Sequence, residues 1–481
     1  MNRLFLATAD VHVQDVVPLG TTFVFSALLV GLILCLALEE KIHAKKSIIA
    51  AVFALICLFL ANVFHLYEYV DHKFIIKLPP FHSGQGHTAE LPVYIPAIDW
   101  NVIALIFGAS LFVDITSKSG LFTWIAIKLT KASKGDPRRL LWFYGLMTVV
   151  FSAVLNNVTA MIIVGSLTGV SLKKLGRVNL MLGFLLIEGL LTNIGGLLTL
   201  ISSVPNIIVG NAAGISFVTF FTKSAPFVVV ATIATIMLGA KLFGITKLHS
   251  AEERDEAELL VSGFDENDGI ESNGFFWFGA AMLVLFIVTI ATTSVLPVIQ
   301  DLGMSFVALA FAAVMLVRYK ANVETFYRAM DWDLLGFFAA LFVVINVMEH
   351  AMVLDLIGKG LAQVISLNEI IGHGAGTGAI LVSSAAFSSV TDNIPLSAML
   401  AKILQAQGTA STDPLWWSVV FGANLGGNLT PIGYASTLVA VTIIHKNDVA
   451  MSFGRFVKLA IPFAVMQIAL ATLYVLVVLD Q

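Results

Sequence analysis

The sequence predicts an all-α integral membrane protein: an inverted-repeat architecture with two re-entrant hairpins, two broken helices and about ten full spans. Three observations predict it. Of the 481 residues, 58% are hydrophobic and 12% charged, with a mean hydropathy of +0.92. That balance does not coat a soluble globule of this size. Several apolar runs reach the roughly 18–20 residues that cross a bilayer. Polar motifs embedded in apolar sequence then recur in one order at offsets of 231–236 residues.

Spans are expected near 20–38, 47–66, 100–117, 178–212 (interrupted), 224–243, 274–297, 304–319, 332–350, 415–440 (interrupted) and 457–479. Residues 1–18 hold Asp10 and Asp15 and lack a continuous apolar core, so they do not read as a cleaved signal peptide. Cys35 and Cys57 lie inside apolar segments and imply no disulfide framework. A net charge of −4 does not suggest a nucleic-acid partner. The lipid bilayer is the partner that composition demands, in the inner or plasma membrane.

Two further apolar pairs, about 140–171 and 375–406, carry polar clusters in their middles and read as hairpins that dip to the membrane centre and return. With this topology 21 of the 27 lysines and arginines fall on one side, which is then cytoplasmic, with both termini outside. Residues 67–98, with His72, His82 and His87, read as a solvated external loop whose histidine spacing matches no metal motif. The acidic stretch 250–273 reads as a cytoplasmic linker between halves. The expected organisation is 1–98 (two scaffold spans and loop), 99–245 (first repeat), 246–330 (linker and two scaffold spans) and 331–481 (second repeat).

The repeats rest on particular residues. Asp99-Trp100 returns as Asp331-Trp332, and Phe151-Ser152…Asn157 as Phe387-Ser388…Asn393. Asn193-x-Gly195-Gly196-x-x-Thr199 returns as Asn424-x-Gly426-Gly427-x-x-Thr430. Five expected crossings separate Asp99 from Asp331, so the second copy is inverted. Inverted repeats with interrupted helices meeting at the midplane are the architecture of secondary transporters.

The first hairpin tip offers Ser152, Asn156, Asn157 and Thr159; the second offers Ser388, Ser389, Thr391, Asp392, Asn393 and Pro395, the proline marking chain that has left the helix. Polar groups in hydrocarbon cost several kcal/mol unless paired or lining a cavity. Helix–helix hydrogen bonding is one outlet for them and a duplicated site is the other, which we favour. The broken helices add Asn193, Gly195, Gly196, Ser203 and Asn206 in the first half, and Asn424, Gly426, Gly427, Asn428 and Thr430 in the second. Unwound backbone there frees carbonyls for a hard cation such as sodium, and N–H groups for an anion. The glycines have a rival reading as close-packing points. Asp392 and Glu188 are carboxyls at membrane depth, suited to proton coupling.

At these residues the sequence resembles the ion transporter superfamily, in its arsenite permease, NhaD-type sodium/proton antiporter and P-protein branch (citrate-transporter-like domain). The resemblance is carried by AIDWNVIALIFG (97–108), AIKLTKASKGDPRRLL (126–141), SAVLNNVTAMII (152–163), EGLLTNIGG (188–196), VPNIIVGNAAGISF (204–217), VTDNIP (390–395) and PLWWSVVFGANLGGNLTPIG (414–433). It implies hairpin tips and broken helices enclosing the substrate, and a homodimer formed through a separate scaffold. Two departures matter. The branch's first tip reads aspartate-asparagine where this chain has Asn156-Asn157, and its Gly-Asp-Pro-Pro-Asn is here Ser202-Ser203-Val204-Pro205-Asn206.

These readings converge on a secondary active ion transporter, first of all a sodium (cation)/proton antiporter. Asp392 and Glu188 would serve proton coupling, with sodium at Asn157, Asn193, Asn393 and Asn424. The alternative is an anion or oxyanion permease of arsenite, carboxylate or sulfate type, coupled to sodium, proton or potential. No cofactor is expected beyond a coupling ion, Na+ or H+. An intramembrane hydrolase is disfavoured, since neither HExxH nor GxSxG occurs. A channel fits the paired hairpins less well than alternating access does.

Overall fold

The structure is a computed structural model. It describes residues 17–67, 69–70, 73–78, 87–92, 94–366, 374–431, 433–447 and 449–480. His72, His82 and most of the N-terminal segment discussed above lie outside the described residues.

Among the described residues, helices account for every expected span. Nine are long and apolar enough to cross a bilayer: Leu19–Ala37, Lys46–Val63, Trp100–Ser117, Val178–Gly195, Phe217–Leu242, Asn273–Thr292, Ile299–Arg318, Trp332–His350 and Phe453–Leu479. The remaining expected span, near 415–440, is divided into Pro414–Gly426 and Ala435–Lys446, neither long enough alone. The loop after the second span is not plain coil. Tyr69–Val70, Lys73–Leu78 and His87–Leu91 form a three-stranded antiparallel sheet, with Ile75 opposite Glu90 and Leu78 opposite His87.

The described residues fall into two compact units. One takes in residues up to Asp99 together with Gly336–Lys359. Within it Phe25 meets Phe64 edge to face at 6.1 Å, and the Tyr67 hydroxyl donates to Asn346 Oδ1 at 2.9 Å. The other unit takes in Trp100–Leu335 and Gly360 onward, and it holds every candidate site residue.

The expected hairpins are helix–turn–helix elements in this second unit. We label the helices of the first α1 (Pro137–Val154) and α2 (Asn157–Lys174). Asp136 caps α1 by accepting from Arg139 N at 2.9 Å, and Pro137 occupies the first turn, where its missing N–H costs nothing. The first broken helix is α3 (Met181–Gly195) followed by α4 (Val204–Ala213), and α5 is Phe217–Leu242. The second hairpin is α6 (Ala375–Ser388) and α7 (Asn393–Ala406). The second broken helix is α8 (Pro414–Gly426) and α9 (Ala435–Lys446), and α10 (Phe453–Tyr474) closes the chain. Contrary to the sequence reading, Pro395 lies inside α7, in its first turn.

Helices α3 and α8 are apolar on all sides and buried along nearly their whole length. That is the pattern of helices at the centre of a bundle. Each is gripped by a hairpin at a glycine. A Cβ on Gly195 would stand 2.6 Å from Val149 O, and one on Gly426 would collide with Ala385 O. The acidic linker is also more than solvated chain. Ala251–Ser262 is helical, capped by Ser250 on Glu253 N, and buries Ala257 and Val261. Beyond it Glu266 accepts from Lys128 at 2.7 Å and from Lys131.

Candidate functional site

The hairpins and broken helices meet through contacts that occur twice. Ser152 Oγ donates to Thr192 O at 2.6 Å, and Ser388 Oγ to Ala423 O at 2.6 Å. Thr199 Oγ1 donates to Ala153 O at 2.6 Å, and Thr430 Oγ1 to Ser389 O. The Gly195–Val149 and Gly426–Ala385 approaches make a third pair. In all three, hairpin partners are shifted by 236 positions and broken-helix partners by 231, as in the sequence motifs. Matched side chains therefore hold matched backbones.

Between the broken helices the side chains form two directed chains of hydrogen bonds. In one, Ser203 Oγ donates to Asn424 Oδ1 at 2.7 Å, Asn424 Nδ2 to Asn206 Oδ1 at 3.0 Å, and Asn206 Nδ2 to Gly196 O at 2.7 Å. Ser203 has spent its proton, so Tyr434, 2.9 Å away, donates to it. In the other, Ser436 Oγ donates to Asn193 Oδ1 at 3.0 Å, and Asn193 Nδ2 to Asn428 Oδ1 at 2.7 Å. Asn428 Nδ2 donates to Gln467 Oε1 at 2.7 Å, and Gln467 Nε2 to Thr235 Oγ1 at 3.0 Å. These groups are buried, so each bond stands in for one that water would make at the surface.

The hairpin tips and the helix breaks together present four helix starts. Asn156 caps α2 by accepting from Thr159 N at 2.7 Å, and Asp392 caps α7 by accepting from Ile394 N at 2.9 Å. Ser203 and Tyr434 occupy the cap positions of α4 and α9. The first residues of α2 and α7, Asn157 and Asn393, border the Tyr434 hydroxyl beside Ser203. The beginnings of α2, α4, α7 and α9 thus converge on one hydroxyl. A helix N-terminus carries about half a positive charge in its unpaired N–H groups.

The adjacent asparagines of the first tip differ. Asn156 is exposed. Asn157 is buried, shares the single Ser152 hydroxyl proton with Thr192 O through Oδ1, and lies against Gly196, where a Cβ would stand 2.8 Å from Nδ2. That Nδ2 has no partner at hydrogen-bonding geometry among the described residues. Asn393 reaches Ala423 O at 3.4 Å, and Ser389 turns back to Ala386 O at 2.7 Å. Gly427 packs against Gly433 O and Tyr434. The glycines of both motifs thus act as close-approach points, the rival reading given above. A cavity of about 240 Å³, bounded by Asn101, Leu200, Ile207, Asn211, Asp301 and Ser305, adjoins the first break.

Glu188 lies apart from the tips. It precedes Asn193 by five residues on α3, about 7.5 Å along the axis. It is fully buried; Thr168 donates to Oε1 at 2.7 Å, while Oε2 has no partner among the described residues.

Tyr434, Ser436, Gln467 and Thr168 were missed from sequence. The repeat offset of 231 applied to Ser203 lands on Tyr434, so the first was within reach. Gln467 stands alone as an amide in the apolar run IPFAVMQIAL.

Comparison with known proteins places this geometry. The profile of a family described as citrate transporter (CitMHS) matches residues 47–422. An uncharacterized transporter of Mycobacterium tuberculosis is 31% identical over 383 residues, covering 78% of this chain and 86% of its own. The P protein of Homo sapiens is 24% identical over 522 residues, covering 92% of this chain and 60% of its own. Among solved structures, MtrF of Neisseria gonorrhoeae, titled as one of a class of antimetabolite efflux pumps, superposes with a TM-score of 0.54 at 12% identity, covering 90% of this chain and 95% of its own. The YdaH transporter of Alcanivorax borkumensis gives 0.53 at 14% identity, covering 90% and 98%. At these identities the structural likeness concerns the fold alone.

Proposed function

This chain belongs to the CitMHS citrate transporter family, a multi-pass membrane protein and secondary transporter, and from that premise we propose that it carries a small carboxylate anion together with a proton. The observation that carries the proposal is the convergence of four helix N-termini on Tyr434 and Ser203, beside the buried Asn157 amide. Helix starts and amide donors, with no surrounding ring of acids, suit a carboxylate. The family description points to the same chemistry.

Asp392 supports a coupled cation. Its Oδ1 is engaged as the α7 cap, and a carboxylate beside an anion site repels the substrate unless a positive charge travels with it. Glu188 supplies a buried carboxyl with one oxygen unpartnered, on the helix that carries Asn193, and we assign it the proton. The repeated contacts support two-fold related halves, inverted as the span count predicts. Contact between the equivalent positions 203 and 434 is what a two-fold axis through the site produces. Alternating access would follow from rocking of the hairpins against α3 and α8 about that axis.

A second reading, sodium/proton exchange, rests on Asp392 and the surrounding oxygens. Purified protein in vesicles separates the two. Labelled citrate and succinate uptake should follow an imposed acid-outside gradient and saturate, with no proton release when Na+ or Li+ is added alone. Proton flux evoked by Na+ or Li+ without carboxylate would overturn the proposal in favour of exchange.

A further inference from the structure

We infer that the N-terminal end of α1 carries a binding site for the phosphate headgroup of an anionic phospholipid, formed by Arg138, Arg139 and Lys247. These three cations line a groove of about 320 Å³ together with Trp142 and Phe143. The site lies outside the carrier machinery described above.

The groove is built by the fold. Asp136 accepts from Arg139 N through Oδ1 at 2.9 Å and from Leu248 N through Oδ2 at 3.0 Å. It thereby ties the start of α1 to the segment after α5. Arg254 grips the same segment, donating from Nε and Nη2 to Leu248 O at 3.1 and 3.0 Å. Lys247 is thus held beside the two arginines, and both Asp136 carboxylate oxygens accept from backbone N–H groups.

Positive charge exceeds negative in this corner. Nearby Lys128 and Lys131 meet Glu266, and Lys134 meets Glu258 at 3.0 Å. Arg138, Arg139 and Lys247 have no ion pair among the described residues, although they stand together in one groove. Like charges gathered without counter-charge are costly unless an anion joins them. Guanidinium pairs match phosphate oxygens in geometry as well as sign.

The surroundings select a lipid over a free ion. Trp142 is the aromatic type that sits at headgroup depth, and Phe143 adds apolar lining beside it. Leu146 and Val150 continue along the same helix at i+4 spacing, 55% and 49% exposed, as a bed for an acyl chain. The basic side of the protein is the cytoplasmic one by its lysine and arginine bias, and that leaflet holds anionic lipid.

Native mass spectrometry of the full-length protein with phosphatidylglycerol, phosphatidylcholine and inorganic phosphate tests the site. Phosphatidylglycerol should be retained in preference to phosphatidylcholine. The triple variant Arg138→Gln, Arg139→Gln, Lys247→Gln should bind it on the order of 100-fold more weakly. The charge-preserving Lys replacement of both arginines should recover part of the loss, and Lys320→Gln, on another exposed cation, should change nothing. Unchanged phosphatidylglycerol binding in the triple variant, or equal binding of phosphatidylcholine, would overturn the inference. Displacement of the lipid by inorganic phosphate at comparable concentration would overturn the lipid as the source and leave a phosphate ion.

Discussion

The hydroxyls of Ser203 and Tyr434 lie 2.9 Å apart across 231 positions of sequence, and each residue stands at the N-terminal boundary of the helix that resumes after a break. Because Ser203 donates onward to Asn424, the phenol is the donor in this pair, and it ties the two broken helices together. Tyr434→Phe should cost about 1 kcal/mol of stability, the net value of one buried hydrogen bond. Ser203→Ala also strands Asn424 Oδ1 and should cost about 1–3 kcal/mol. Both should slow carboxylate uptake, and the double variant should fall short of the sum. Thermal unfolding and vesicle uptake measured on the same samples check this; strictly additive effects would mean the two hydroxyls do not act together.

Asn156→Asp tests the sign of the transported charge. Aspartate caps a helix as well as asparagine, so α2 should keep its stability. The new carboxylate at the exposed tip should depress anion uptake sharply. Uptake that stays constant while Na+-evoked proton flux appears would favour the cation reading.

Glu188→Gln retains an oxygen to accept from Thr168 and removes the titratable proton. Accumulation of carboxylate driven by a pH gradient should vanish, whereas counterflow exchange across equal pH should survive. A merely structural Glu188 would lower both or neither.

The hairpin grips forbid a methyl group. Gly195→Ala and Gly426→Ala would press a Cβ onto Val149 O and Ala385 O, and overpacking of this kind costs about 1–3 kcal/mol. At Gly360 nothing lies within 4 Å, so Gly360→Ala should be neutral or stabilising. Melting temperatures of the three variants in one detergent give the comparison.

Outside the membrane, hydrogen bonds from Lys128 and then Lys131 hold the Glu266 carboxyl well below its usual range, at about 2. A depressed carboxylate contributes stability above its unfolded value, roughly 4.3, and that contribution is lost as pH falls through the folded value. Protection of Ala251–Ser262 against hydrogen exchange should therefore decline between about pH 4 and pH 2. Glu266→Gln should show the weaker protection already at neutral pH, and high salt should mimic it, since the pair is solvent-accessible.

The sequence by itself determined the solvent of this protein, its spans and the two pairs of interrupted elements. Lipid acts on each segment separately, so apolar run length, the polar clusters at 152–159 and 388–393, and the paired Asn-x-Gly-Gly motifs carry that information locally. It also marked Asn156 and Asn157 alike, and gave no helix within the linker near Glu266. Only the tertiary structure decided that Asn156 is exposed while Asn157 is buried beside Tyr434, that Asp392 is a helix cap, and that Tyr434, Ser436 and Gln467 complete the network. The physical reason is that a hydrogen bond belongs to two groups at once. Which polar atoms are spent on each other, and which remain for a substrate, depends on helices hundreds of residues apart arriving within 3 Å.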